Sequence, residues 1–455
     1  MKPSPYNHFF ELQNKNTILA YNAFSGALAE IEQENYARVL HLIDLPADAS
    51  SAQDHEFLQC LKDGGFLVGD AIDQRAIFEN RAKMHRLSGD ILTLTIAPTL
   101  ACNFGCDYCF ESRSGMRMKE ETQVALLRFS DSYLYKANGL RICWFGGEPT
   151  LCLGIIDRLQ TGLLELASKH NVDVWPGSII TNGYLMDGTM ASHFKDIGIT
   201  QAQITIDGPQ PVHDARRKLM NGKGTFDRIV ENLTVTSDIL EINVRINIDK
   251  ANVESACDVV LLLKERGILP RVRVSFAQVK SSGAACADIR ERCYGDKEFS
   301  HTLAAIYGRL FEEGVYRVEY PSVFIGGAYC GALAEGYFVV APGGELFKCW
   351  EELSLDSNRS IGNVLTSEIT QRQQNHRMAY ASWNPLNMSE CRGCNVLPIC
   401  MGGCPVAGMS KAESGRGACL PWRYNLKEMI ELRYRCEVGQ MNDPVQTQSG
   451  IDGKG

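Results

Sequence analysis

From residue 92 the chain alternates short apolar β-patterns with helical ones, and this rhythm limits the possible folds more than any other feature. Leu92–Ile96, Leu140–Phe145, Gly177–Ile180, Ala202–Ile206, Ile242–Ile248 and Arg271–Phe276 read as strands. Between them, Thr122–Tyr135, Leu153–His170, Met186–Ile197, Thr225–Leu240 and Val253–Arg266 carry helical apolar spacing. Strand–helix alternation with short connections predicts a parallel sheet or barrel. Six such strands are two short of a closed eight-fold barrel, so the expected class is α/β with a partial (β/α)6 barrel.

The flanks break this rhythm. In residues 1–90, Thr17–Asn22 reads as a strand, Glu30–Ile43 and Asp54–Asp63 as helices, and Gly64-Gly65 as a helix end before a further strand. This pattern suggests an N-terminal winged-helix-like module. Beyond about residue 325, short strands at Gly336–Val340 and Leu346–Cys349 lie among Cys, Gly and Pro, a composition that needs staples rather than a continuous core. The expected divisions are 1–90, 91–320, 321–440 and a disordered polar tail over 441–455. A chain of 455 residues with 45 % apolar content has room for about three domains.

Charge narrows the partners. The net charge is −8, and no basic run exceeds Arg216-Arg217-Lys218, which argues against nucleic acid. No stretch offers the ~18 apolar residues of a membrane span, and Met1–Asn14 does not read as a signal peptide, so a cytoplasmic location is expected. Seventeen cysteines in such a chain point to metal or redox chemistry rather than disulfides.

Those cysteines are clustered. Cys102, Cys106 and Cys109 place three thiols in eight residues, directly after the first strand. Three thiolates so spaced hold three irons of a cubane and leave the fourth open to a small molecule; a structural zinc site wants four ligands. Phe104, Tyr108 and Phe110 would shield such a cluster from water. Polar motifs close the next strands: Gly146-Gly147-Glu148-Pro149, Thr181-Asn182-Gly183 and Thr205-Ile206-Asp207-Gly208-Pro209. Strand C-termini are where α/β enzymes build their sites.

The Cys-x3-Cys-x-aromatic-Cys loop in this setting resembles the radical S-adenosylmethionine superfamily. The resemblance implies a [4Fe-4S] cluster on Cys102, Cys106 and Cys109 that binds S-adenosylmethionine and cleaves it to a 5'-deoxyadenosyl radical. It implies that Gly146, Gly147 and Glu148 meet the amino group of the methionine moiety. His213-Asp214-Ala215-Arg216-Arg217 resembles the family's His-Asp-x-x-Arg segment, which would place Arg217 on the methionine carboxylate. Asn182, Asp207, Asn247 and Tyr108 are the further cofactor-binding candidates. No general base stands out.

The C-terminal cysteines resemble the SPASM extension of radical enzymes that modify peptides. That resemblance implies two auxiliary [4Fe-4S] clusters, one on Cys330, Cys349 and Cys404 and one on Cys391, Cys394, Cys400 and Cys419. On spacing alone the other reading is zinc. A further thiol usual after the first ligand is missing, since Gly331–Gly336 holds no cysteine, so that iron is either open or filled by Cys436 or a substrate thiolate.

Three functions compete. The first is a maturase that cross-links a ribosomally made precursor peptide, by a thioether first of all, with its N-terminal module pairing with the peptide's leader and a reduced flavodoxin or ferredoxin as electron donor. The second is a sulfatase maturase forming formylglycine, although Trp350 stands where those enzymes carry an Asp. The third is a plain electron carrier or redox sensor.

Overall fold

The structure, a computed structural model, describes residues 1–441 apart from 13–15, 88, 112–113, 281–288, 317–318, 325–329, 354–356 and 412–417. The expected tail lies outside these residues except for Met441, which ends a helix, and Cys286 lies outside them too. The chain forms two compact units, each discontinuous in sequence. One holds Met1–His85, Asp296–Cys330 and the residues from Asn384 on; the other holds Arg86–Gly295 and Gly331–Trp383.

In the first unit, β1 (Asn7–Glu11), β2 (Thr17–Asn22) and β3 (Leu28–Glu32) form an antiparallel sheet in that order. Two helices follow, α1 (Gln33–Asp44) and α2 (Ala52–Asp63). Their apolar stripes bury Val39, Leu42, Ile43, Leu58 and Leu61 against Ala20 and Phe66. A capping box starts α2: Ser51 accepts from the Asp54 amide, and Asp54 accepts from the Ser51 amide and from both sides of the Arg38 fork. The sequence expectation runs α1 back to Glu30. That residue instead lies in β3, where its carboxylate accepts from Thr17 and Tyr434. The third helix, α3 (Gln74–Leu87), closes the N-terminal segment.

The second unit confirms all six expected strands: β4 (Ile91–Ile96), β5 (Gly139–Trp144), β6 (Gly177–Thr181), β7 (Ile199–Thr205), β8 (Glu241–Ile248) and β9 (Val272–Gln278). They lie side by side in chain order, each parallel to the next. The arc does not close, as a partial barrel requires. The intervening helices are α4 (Glu120–Leu134), α5 (Leu153–His170), α6 (Gly188–Asp196), α7 (Gln210–Arg216), α8 (Phe226–Thr236) and α9 (Ala256–Glu265). One face of each strand is apolar and covered: Leu92, Leu94, Ile96, Trp144, Ile204 and Ile246 are fully buried, and Trp144 donates to Gln160 of α5 at 3.0 Å. Parallel strands are ordinarily apolar on both faces. Here the other face is polar and only part-buried, with Cys143, Ser178, Gln203, Asn243 and Ser275, and Asn243 donates to Ser275 at 3.0 Å. A sheet face of this kind suits a barrel lumen that takes a polar ligand.

Two features escape sequence rhythm. Helix α10 (Asp296–Glu312) belongs to the first unit, beyond the last barrel strand. Strand β10 (Tyr337–Val340), from the cysteine-rich region, joins the barrel sheet parallel to β4 and turns back through β11 (Glu345–Phe347).

Candidate active site

The cysteine loop leaves β4 through Ala97–Ala101 and is gripped at its base by the two glycines after β5. The Gly147 amide donates to Thr99 and the Glu148 amide to Ala101, at 3.1 and 2.9 Å. A Cβ on Gly147 would lie 2.3 Å from the Ala101 carbonyl oxygen, and one on Gly146 (φ +108°) 2.5 Å from that of Thr99. Only glycine permits this approach.

Glu148 is fully buried, and four donors of the chain face its carboxylate. The Thr150 amide (3.1 Å), Thr150 hydroxyl (2.6 Å) and Thr181 hydroxyl (2.7 Å) reach one oxygen, and the Asn182 amide (2.7 Å) reaches the other. Burial pushes its pKa up, and these hydrogen bonds oppose the shift. Glu148 therefore ties the end of β5 to the end of β6. Asn182 carries the link onward, since its side chain donates to Asn103 of the cysteine loop at 2.8 Å. Replacing Glu148 with Gln would turn an amide toward groups that are all donors. It should cost about 1–3 kcal/mol, read as a lowered thermal midpoint; an unchanged midpoint would refute this structural role.

Tyr108 centres a second group of candidates. Its hydroxyl donates to Asp207 and accepts from Arg217 at 2.6 Å and from Asn247 at 3.2 Å. Asp207 also accepts from the Asn247 amide at 3.0 Å. Burial works against the Arg217 charge, but Tyr108, Cys106 and Asp207 outweigh it and hold the guanidinium protonated. Thus Tyr108, Asp207, Arg217 and Asn247 meet, while Gly146, Gly147, Glu148 and Asn182 form the neighbouring support of the same loop.

Several participants are not among the sequence-predicted site residues, although His213 and Arg216 lie in the quoted His-Asp-x-x-Arg segment. His213 is buried, and burial and the two arginines push its pKa well down, so it is neutral. Its Nδ1 accepts from the Asp207 amide (3.3 Å), and its Nε2 donates to Thr225, which donates to the Arg217 carbonyl (3.1 and 2.6 Å). Arg216 packs under the Tyr108 ring at 4.9 Å and pairs with the buried Asp249 at 2.9 and 3.0 Å. Arg292 bridges Asp249 to Asp107 of the cysteine loop at 3.1 and 2.8 Å. Glu111, just past the loop, is buried and pushed up to about 7 by burial and by the Glu148 charge.

The donor set fits the groups expected of it. Burial pushes Cys102 up to about 12, and Glu148, Cys106 and Cys109 act in the same direction, so the three thiols lie within electrostatic reach of one another. A bound cation reverses such a shift. Five polar atoms here are buried without a hydrogen-bond partner: Nε and Nη2 of Arg216, Nε of Arg217, Nε of Arg292 and Oε2 of Glu111. They offer donors and an acceptor of the kind an amino-acid head group would satisfy. Among the described residues no group of three or more His, Cys, Asp or Glu side chains is drawn tightly enough to hold one metal ion; a cubane asks for thiols spread around a larger core.

In the first unit, Cys391, Cys394, Cys400 and Cys419 also come together. Cys391 is pushed up to about 12 by burial and then by Cys400, Cys419 and Cys394. The local cause is a run of left-handed residues, Met401, Gly402 and Gly403, that presses the chain onto Ala418; a Cβ on Gly403 would sit 1.7 Å from the Ala418 oxygen. Cys330 and Cys404 belong to this unit and Cys349 to the other, so those three share no geometry within either. Cys436 is buried beside Tyr320. No helix among the described residues is long and apolar enough to cross a membrane.

Comparison with known proteins agrees with this geometry. Residues 96–263 match the Radical SAM superfamily. The cysteine-type anaerobic sulfatase-maturating enzyme of Clostridium perfringens is 24% identical over 373 residues, 76% of this chain and 94% of that one. The serine-type anaerobic sulfatase-maturating enzyme of Bacteroides thetaiotaomicron is 22% identical over 351 residues, 69% and 82% of the two chains. Among solved structures, native anSMEcpe with bound AdoMet and Kp18Cys peptide has 20% identity and a TM-score of 0.59, covering 78% of this chain and 100% of that one. Streptococcus suis SuiB bound to precursor peptide SuiA has 15% identity and a TM-score of 0.52, covering 92% and 98%. Because the family match lies over the strands that carry the cysteine loop and its partners, residues 96–263 form a radical SAM domain and the chain is an enzyme, with a fold like those of anSMEcpe and SuiB.

Proposed function

We propose that the chain is a maturase that installs a cross-link, a thioether first of all, in a ribosomally made precursor peptide. The observation that carries this is the extent of the SuiB likeness. It takes in 92% of the chain, whereas residues 91–455 make up only 365 of the 455, so it reaches into the N-terminal module. Residues 1–90 then serve as the leader-recognition part, offering the edge of a three-stranded sheet to an extended segment.

In this reading Cys102, Cys106 and Cys109 hold the cluster at which S-adenosylmethionine binds, Arg217 faces its carboxylate, and Tyr108, Asp207, Asn247 and Asn182 shape the pocket. With one electron, from a reduced flavodoxin or ferredoxin, that pair of groups supplies a 5'-deoxyadenosyl radical able to take a hydrogen atom from the peptide. Gly146, Gly147 and Glu148 keep the loop in register, and neutral His213 locks Asp207 and Arg217 to each other. Two auxiliary clusters are assigned to the C-terminal cysteines, one of them to Cys391, Cys394, Cys400 and Cys419.

The second reading is formylglycine formation, favoured by 24% identity along 94% of a cysteine-type sulfatase maturase. Against it, Trp350 follows Cys349 and lies 5.8 Å from Phe145, while the nearby buried Glu352 is bonded to His376. Mass spectrometry of the co-expressed peptide separates the two: a loss of two hydrogens per linkage supports a cross-link, and loss of hydrogen sulfide from a cysteine with gain of one oxygen supports formylglycine. Removing the leader should lower turnover of the peptide about a hundred-fold; equal turnover would exclude a leader-guided maturase.

A further inference from the structure

We propose that the outer side of the cysteine loop is the docking surface for an acidic one-electron carrier protein, centred on Met220 and rimmed by Lys218, Lys223, Lys250 and Arg292. The need for a carrier rests on the radical SAM reading; the surface rests on geometry.

Residues 218–223 run against the loop as a flank. The Gly105 amide donates to the Lys218 carbonyl at 2.8 Å, the Met220 amide donates to the Asn103 carbonyl at 2.9 Å, and Phe104 and Leu219 form an antiparallel bridge. A tight turn closes the flank, with Leu219 bonded to Lys223 and Gly222 at φ +84°. The basic run Arg216-Arg217-Lys218 thus splits by direction. Its two arginines are buried, and Arg217 is electrostatically coupled to Cys106. Lys218, Met220 and Lys223 are exposed, Met220 by 63%. This flank backs residues 103–105, which lie between Cys102 and Cys106.

The other end of the loop has the same character. Asp107 is paired with Arg292 at 2.8 Å, and the Arg292 carbonyl accepts from the amide of the exposed Lys250 at 2.9 Å. Asp107 and Glu291 are the acids among these exposed segments, so positive charge is in excess on a chain whose net charge is −8. A local reversal of sign around an exposed, polarisable methionine suits a small, transient, charge-steered interface. The carrier would give up one electron to the cluster held by Cys102, Cys106 and Cys109, with no bond made and no proton moved.

The test compares two reductants on the reconstituted enzyme with Lys218→Glu and Lys223→Glu combined. Methionine release from S-adenosylmethionine driven by reduced flavodoxin, an acidic protein, should fall about ten-fold at low salt and lose its salt dependence. Release driven by reduced methyl viologen, a small cation, should not fall. An unchanged flavodoxin-driven rate overturns the proposal and places electron entry elsewhere. Equal losses with both reductants mean a damaged loop, and the Lys218→Gln, Lys223→Gln pair then decides: a graded loss with flavodoxin alone supports docking, and any other pattern refutes it. If wild-type enzyme releases no methionine even with methyl viologen, the radical SAM reading itself fails, which is a separate result.

Discussion

Replacing Cys102, Cys106 and Cys109 together with alanine is expected to end S-adenosylmethionine cleavage and to remove about four iron atoms per chain, leaving about eight on the proposed C-terminal clusters. The polypeptide alone does not favour three thiolates side by side. Burial already pushes Cys102 up to about 12, and each neighbouring negative charge adds to that cost. Only a strongly cationic group makes three ionised thiols stable in this loop, so iron binding and thiol ionisation are one event. The neighbouring side chains are largely committed to one another, Tyr108 to Asp207, Arg217 and Asn247, and Glu148 to Thr150, Thr181 and Asn182. The three thiols are part-exposed and take no part in the apolar core, so far-UV circular dichroism of the metal-free protein should hardly change. Two measurements decide the matter. Continued release of methionine from S-adenosylmethionine, or an iron content equal to that of the wild type, would remove the cysteine loop from the centre of the chemistry.

The parts of this molecule legible in its sequence are those where a local pattern and a tertiary role coincide. The six barrel strands could be read because each carries an apolar face, and four of them lead into the cysteine loop or a polar motif. The flanking strands of the N-terminal sheet could not. Asn7–Glu11 and Leu28–Glu32 are rich in residues that strands usually avoid, and Glu30 is satisfied only by Thr17 across the sheet and by Tyr434, far along the chain. The discontinuous make-up of the two units also leaves no local trace: nothing in Tyr337–Val340 signals that it will pair with Ile91–Ile96.

The site divides in the same way. Glu148, Asn182 and Asp207 could be read because polar groups at strand ends stand out against an apolar pattern, and Tyr108 because it lies among the three thiols; Arg217 and Asn247 were reached through the family resemblance. Arg216, Asp249 and Arg292 did not stand out, since ion pairs between residues 33 and 43 positions apart obey no periodicity. Glu148 adds a structural tie to the ammonium contact that the resemblance implies, and its four protein donors cannot be read from sequence spacing.

Arg216 is expected to be the most costly single replacement away from the thiols. Its guanidinium is buried, pairs with both oxygens of the fully buried Asp249, and lies 3.7 Å from Asp207. Removing one partner of a buried ion pair leaves the other charge uncompensated, at about 3–5 kcal/mol. Arg292 and the Ala251 amide still reach Asp249, at 3.1 and 2.8 Å, which keeps the expected loss near the lower end. For a unit of this size Arg216→Met should lower the thermal midpoint by roughly 10 °C. Arg216→Lys should recover only part of this, because an ammonium cannot reproduce the packing of the planar guanidinium against the Tyr108 ring. Combining Arg216→Met with Asp249→Asn removes both charges, so the double variant should be more stable than the sum of the two losses predicts, with a coupling of about 1–3 kcal/mol. The effect should also reach the chemistry. Arg216 is the platform beneath Tyr108, whose hydroxyl joins Asp207, Arg217 and Asn247. Weaker binding of S-adenosylmethionine to Arg216→Met, measured at a temperature where the variant is folded, would show the platform at work. A midpoint within a degree or two of wild type, with additive effects in the double variant, would mean that Arg292 and the Ala251 amide suffice to hold Asp249.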